Sequence, residues 1–202
     1  GTEGCQIQDP YHYNTNRSVA GHHLPHVFTA GVIYELPFGR SRFSSGRDIL
    51  DSVLGGWQVN GILTLHSGRP FTVTMNGDNA NTGNRNGYMR PDLIGDARFA
   101  EPALNEWFDT AAFRAPALYS FGNAGRNILQ ADGRTNLDLS LFKDVPLPWR
   151  EDLKLEFRAE AFNVFNHADF APPNGNMSSS RFGQVTSALQ ERQLQLGLKL
   201  LF

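Results

Sequence analysis

The sequence predicts an all-β fold: a segment of an antiparallel transmembrane β-barrel, with about five membrane strands and long extracellular loops. Three observations predict it. Five stretches alternate apolar and polar residues at period two, helical periodicity is almost absent, and the connections are short on one side and long on the other.

Composition narrows the function classes. Lys plus Arg number 18 against 20 Asp plus Glu, so no basic footprint for nucleic acid is present. Cys5 has no second cysteine to pair with and reads as incidental. No apolar run reaches the roughly 18 to 20 residues of a membrane-spanning helix, and the start at Gly1 shows neither initiator Met nor signal peptide. A barrel strand needs only about 9 to 11 residues and greases one face, so a negative mean hydropathy is compatible with a membrane wall.

Taken in order, residues 26–36 put Phe28, Ala30, Val32, Tyr34 and Leu36 on one parity and Val27, Thr29, Gly31, Ile33 and Glu35 on the other. Residues 48–54 are the best short helix candidate. Residues 57–66 alternate more cleanly, with Trp57, Val59, Gly61, Leu63 and Leu65 against Gln58, Asn60, Ile62, Thr64 and His66. Residues 134–142 set Leu137, Leu139 and Leu141 opposite Asn136, Asp138 and Ser140. Residues 153–162 set Leu153, Leu155, Phe157, Ala159 and Ala161 opposite Lys154, Glu156, Arg158 and Glu160. The last stretch, 193–202, sets Leu194, Leu196, Leu198, Leu200 and Phe202 against Gln193, Gln195, Gly197 and Lys199.

A soluble sandwich alternates in the same way, so connection lengths carry the choice. A brief turn spans residues 146–152, whereas the Gly- and Asn-rich stretch 67–133 separates the second and third strands. The connection 36–56 is longer than the periplasmic turns of such barrels. With the last strand ending at the periplasmic rim, the strands run down, up, down, up, down, and Tyr34, Trp57, Trp149 and Phe202 gather at that rim as an aromatic girdle. Gln58, Asn60, Asp138, Lys154, Glu156, Arg158 and Glu160 then line the lumen, the last four as an ion ladder of alternating sign.

Gln195, Gly197, Leu200 and Phe202 resemble the outer-membrane β-signal: a polar residue, Gly, and two hydrophobic positions ending in Phe. That resemblance implies recognition by the barrel-assembly machinery, to whose open edge a terminal strand can add by main-chain hydrogen bonds. Further stretches look like the barrel end of TonB-dependent receptors, especially the Oar-like group: 24–39 (LPHVFTAGVIYELPFG), 55–73 (GGWQVNGILTLHSGRPFTV), 121–127 (FGNAGRN), 136–143 (NLDLSLFK) and 157–167 (FRAEAFNVFNH). The resemblance implies a plugged barrel of about 22 strands, energised through TonB, that takes up a nutrient. Since plug, TonB box and early strands have no counterpart here, residues 1–202 are expected to be the carboxy-terminal portion, with the rest of the barrel, plug, TonB and outer-membrane lipid as partners. Ligand contacts are expected from residues 67–133 and the polar lumen faces.

Other constellations have plainer explanations. His22, His23 and His26 could approach a metal from one loop, but loop histidines beside a strand start are commoner, and no metal or cofactor is expected. Asp78, Asn79, Asn81 and Asn84 offer oxygen ligands, yet Ala80 occupies a ligand position of the EF-hand pattern and no Glu follows at its spacing; a turn-rich extracellular loop is expected. Residues 122–125 lack the Gly-Lys-Ser/Thr of a phosphate loop and read as backbone punctuation. No Gly-x-Ser-x-Gly elbow or ordered triad is present, so no enzyme activity is expected, including that of a barrel hydrolase. The alternative of another class is a soluble β-sandwich binding glycan or protein, with Trp57, Trp107, Trp149 and the tyrosines as platforms and covered edges.

Overall fold

All five alternating stretches are strands. The computed structural model describes residues 7–37, 55–83, 89–147, 153–189 and 191–202. Its strands are β1 (Val27–Glu35), β2 (Trp57–His66), β3 (Pro70–Phe71), β4 (Asp92–Leu93), β5 (Phe113–Arg114), β6 (Leu129–Gln130), β7 (Arg134–Pro146), β8 (Lys154–Phe162) and β9 (Gln193–Leu201). Cys5, the helix expected at 48–54, Asn84 and Trp149 lie outside the described residues.

The long strands form one sheet in the order β1-β2-β7-β8-β9, every pair antiparallel. Apart from the insertion between β2 and β7 this is an up-and-down meander, the connectivity of a barrel wall. Register decides what each face carries, because a slip of one residue would turn a strand inside out. The pairings Ala30↔Leu63, Leu63↔Leu137, Leu141↔Ala159 and Ala159↔Leu196 carry the apolar parity of every strand onto a single face. The opposite parity, including Asn60↔Ser140, Ser140↔Glu160 and Glu160↔Gln195, shares the other face.

β7 continues four residues beyond the stretch expected from alternation. Lys143 stands where the apolar parity calls for another leucine, and the pattern resumes at Val145, which pairs with Leu155. The lysine is accommodated locally. Its Nζ lies 5.0 Å from the centre of the Trp57 ring and donates to the Gly55 carbonyl at 2.5 Å, so cation and ring share one patch of the apolar face.

The remaining segments make a second unit, from the described parts of Gly1–Pro25, Ser67–Gly133 and Asp169–Leu189. In the chain these segments precede β1, link β2 to β7 and link β8 to β9. The Gly- and Asn-rich stretch 67–133 contributes a packed core to this unit. Phe108 (1% exposed) and Val73 (0%) centre a hydrophobic core with Ala97, Ala112, Phe113, Ala124 and Leu129. The Phe108 ring stands edge-on to Phe113 at 5.8 Å and Phe182 at 5.2 Å, geometry that adds to plain burial. The strands of this unit are two residues long, so side chains carry much of its hydrogen bonding.

Candidate functional site

The apolar face is the first feature with functional meaning. On β9, Leu194 and Leu196 are each 75% exposed and Leu198 67%, and Phe28, Val32 and Tyr34 are exposed on β1. Every buried hydrophobic side chain among the described residues belongs to the loop unit, none to the sheet. A contiguous apolar face of this size, left uncovered in water, would drive association; against hydrocarbon it is the required surface. Tyr34 and Trp57 lie at the same end of this face, and β9 runs towards Phe202 at that end. Gly61 sits in the middle of it, where a Cβ would come 3.0 Å from Leu139 and 3.1 Å from Val32.

The opposite face holds the polar residues singled out by sequence. Near the Glu35 end a cleft of about 510 Å³ is lined by Glu35, Gln58, Phe142, Asp144, Lys154, Glu156 and Arg158. Arg158 pairs with the Glu156 carboxylate and stacks its guanidinium 5.1 Å from the Phe142 ring centre. Register puts Lys199 opposite Glu156 and Gln195 opposite Glu160, so the ladder extends sideways into β9. Gln58 donates to Asn60 at 2.7 Å. Asp138 plays a different part, since its carboxylate accepts the Asn163 N–H at 2.9 Å, at the point where β8 ends. Asn163 and Asn166 take positive φ there, and Asn163 exchanges hydrogen bonds with His167 at 2.8 and 3.0 Å, which accounts for the FNVFNH run as a turn motif.

The loop unit uses the sequence motifs as clasps. In FGNAGRN, Asn127 adopts φ +54°, exchanges hydrogen bonds with Thr72 at 2.8 and 3.0 Å, and donates to the Val19 carbonyl at 2.8 Å. Asn123 accepts from Leu93 N–H at 2.7 Å, while its own N–H donates to Asp92 at 3.0 Å. A Cβ at Gly122 would fall 2.0 Å from the Arg90 carbonyl oxygen, so only glycine permits that backbone approach. Gln8 ties the amino-terminal segment to the same place: it donates to Gly122 O at 3.0 Å and accepts from Arg90 N–H at 3.0 Å and Nε at 2.7 Å. Burial, and next to it the charge of Arg126, pushes the Arg90 guanidinium pKa down.

Asp9 organises the amino-terminal turn. Its carboxylate accepts the N–H groups of Tyr11 at 2.8 Å and His12 at 3.2 Å and lies 2.7 Å from His12 Nδ1. Burial raises its pKa, but the His12 ring and the two N–H groups outweigh that and hold it below the ordinary carboxylate value. Asp78, weighed in sequence as a calcium ligand, closes its own turn by accepting from Thr82 N at 2.9 Å, Thr82 Oγ1 at 3.0 Å and Gly83 N at 2.6 Å. His22 and His23 line different cavities of the loop unit. Trp107 packs against the core with its Nε1 donating to Gln130 O at 2.9 Å, and so serves the fold of this unit.

A family model described as the outer membrane beta barrel domain matches residues 1–195. No curated protein and no solved structure matches the chain.

Proposed function

The chain belongs to the family of the outer membrane beta barrel domain, a component of the bacterial outer membrane, and from that premise we propose that it is part of a TonB-dependent transporter that takes up a nutrient ligand. The five-stranded sheet is a stretch of the barrel wall, with its leucine face to lipid and its charged face to the lumen. The edges of β1 and β9, unpaired among the described residues, are closed by further strands, since open edges are untenable in hydrocarbon. The loop unit is the ligand-binding part in this reading. TonB engages a plug not included in these residues, and the barrel-assembly machinery reads Gln195, Gly197, Leu200 and Phe202 on the terminal strand. The domain binds and passes its ligand without chemistry.

The observation that carries the membrane-wall part of this reading is the apolar face, continuous through five strands and exposed in the leucines of β9, backed by a charged face on the same strands. A soluble β-sandwich needs a buried apolar layer beneath its sheet, and the sheet has none among the described residues. The finer claim is tested with the complete receptor in detergent and the isolated periplasmic domain of TonB. Ligand-enhanced, saturable binding of that domain is expected; its absence from a folded receptor would leave an outer-membrane barrel that works without TonB.

A further inference from the structure

We propose that the loop unit carries a binding site for a small organic anion, with Arg69, Arg126, His22 and Asn16 as the groups that receive its carboxylate or phosphate. These residues, with Ser18 and Phe71, line a cavity of about 670 Å³ wholly within that unit, a volume that suits a metabolite-sized ligand. Every side chain lining it that can form a hydrogen bond is a donor or can act as one, and among the described residues none lining it is acidic. The Asn16 Nδ2 atom is buried and has no hydrogen-bond partner, while its Oδ1 is engaged by Gln8 N at 3.4 Å. A buried donor left unmade costs about 1 to 3 kcal/mol, and an acceptor brought by a ligand removes that cost.

A second observation comes from outside the lining. Arg90 is only 3% exposed, its Nη2 has no partner, and its guanidinium hydrogen-bonds to the neutral Gln8 amide rather than to an acid. Arg126, which lines the cavity, is the charged neighbour that lies close enough to Arg90 to depress its pKa. Guanidinium groups bind carboxylate and phosphate through paired N–H donors, which suits Arg69 and Arg126 in the lining to such a ligand. Phe71, Pro70 and Pro172 supply an apolar wall for the ligand's carbon body.

The inference rests on the transporter reading only for its biological meaning, because binding requires a folded loop unit and not energised uptake. The test is calorimetric titration of the complete, detergent-solubilised protein with glucose 6-phosphate, citrate, inorganic phosphate and glucose. At least one of the organic anions is expected to bind, and glucose is not. Whether glucose 6-phosphate or citrate binds tells phosphate from carboxylate, and inorganic phosphate tells whether the carbon body matters. Arg69→Ala, at an exposed position, and Asn16→Asp, which sets a negative charge at the orphan donor, should each weaken binding at least tenfold, with Arg181→Ala, outside the cavity, unchanged. Equal binding of glucose, no binding of any anion by folded protein, or indifference to both Arg69→Ala and Asn16→Asp would overturn the site. Loss of TonB coupling with anion binding intact would instead count against the transporter reading alone.

Discussion

The sheet and the loop unit use hydrophobic residues in opposite ways. In the loop unit Phe108 and Val73 are withdrawn from solvent into a ring-on-ring core, as in any water-soluble domain. In the sheet Leu194, Leu196 and Leu198 are turned outward, and the groups closest to being enclosed are polar: Asn136, Lys143 and Asn163. One chain therefore satisfies two solvents. Where backbone hydrogen bonds are complete between neighbouring strands, apolar side chains can face hydrocarbon; where the backbone is irregular, they have to gather inward and side-chain amides such as Asn127 supply the missing hydrogen bonds.

The largest effect should come from charging the outward face. Leu196, Leu198 and Leu200 replaced together by Lys should abolish membrane assembly of the complete receptor, at about 2 to 4 kcal/mol for each lysine near the midplane. Heat-modifiable migration of the outer-membrane fraction is the readout, and normal assembly would remove the lipid-facing assignment. Next in size is Phe108→Ala, which should destabilise the loop unit by about 3 to 5 kcal/mol. Limited proteolysis should then cut within residues 67–133 while the barrel still assembles; joint loss of both would show that the two regions do not fold separately.

A smaller effect is expected on the polar face. Glu156→Gln removes the partner of Arg158 in a partly hydrated setting and should move the denaturant midpoint only slightly. Smallest is the acid response of the amino-terminal turn. The Asp9 pKa is depressed on folding, so its contribution is present above the ordinary carboxylate pKa and is lost as pH falls through the lower, folded value. Proteolysis at residues 7–17 should rise on acidification across that window, and Asp9→Asn should flatten the response.

What was legible in the sequence follows the same divide. β2 is bounded as its alternation indicates, because its apolar parity runs unbroken from Trp57 to Leu65. β7 is longer than its alternation because Lys143 interrupts the parity while pairing continues, and the Trp57 ring and Gly55 carbonyl that receive the lysine come from across the sheet. The loop unit's core had no periodic signal, since it is built from two-residue strands and irregular backbone. For the same reason the donors of the anion cavity, spread from Asn16 to Arg126, could not be grouped by spacing; the one hint was FGNAGRN, whose folding role exceeds punctuation. On the polar face the signs along β8 were readable, whereas Lys199 opposite Glu156 depended on register.

The central claim is that one face of the sheet meets lipid. It is tested most directly by spin labels on single cysteines at each position from Gln193 to Lys199, in a Cys5→Ser background of the complete receptor reconstituted into bilayers. Oxygen accessibility should peak at Leu194, Leu196 and Leu198, and accessibility to a water-soluble nickel chelate should peak at the intervening residues, with a period of two. Absence of that alternation, or water access on the leucine parity, would contradict the account.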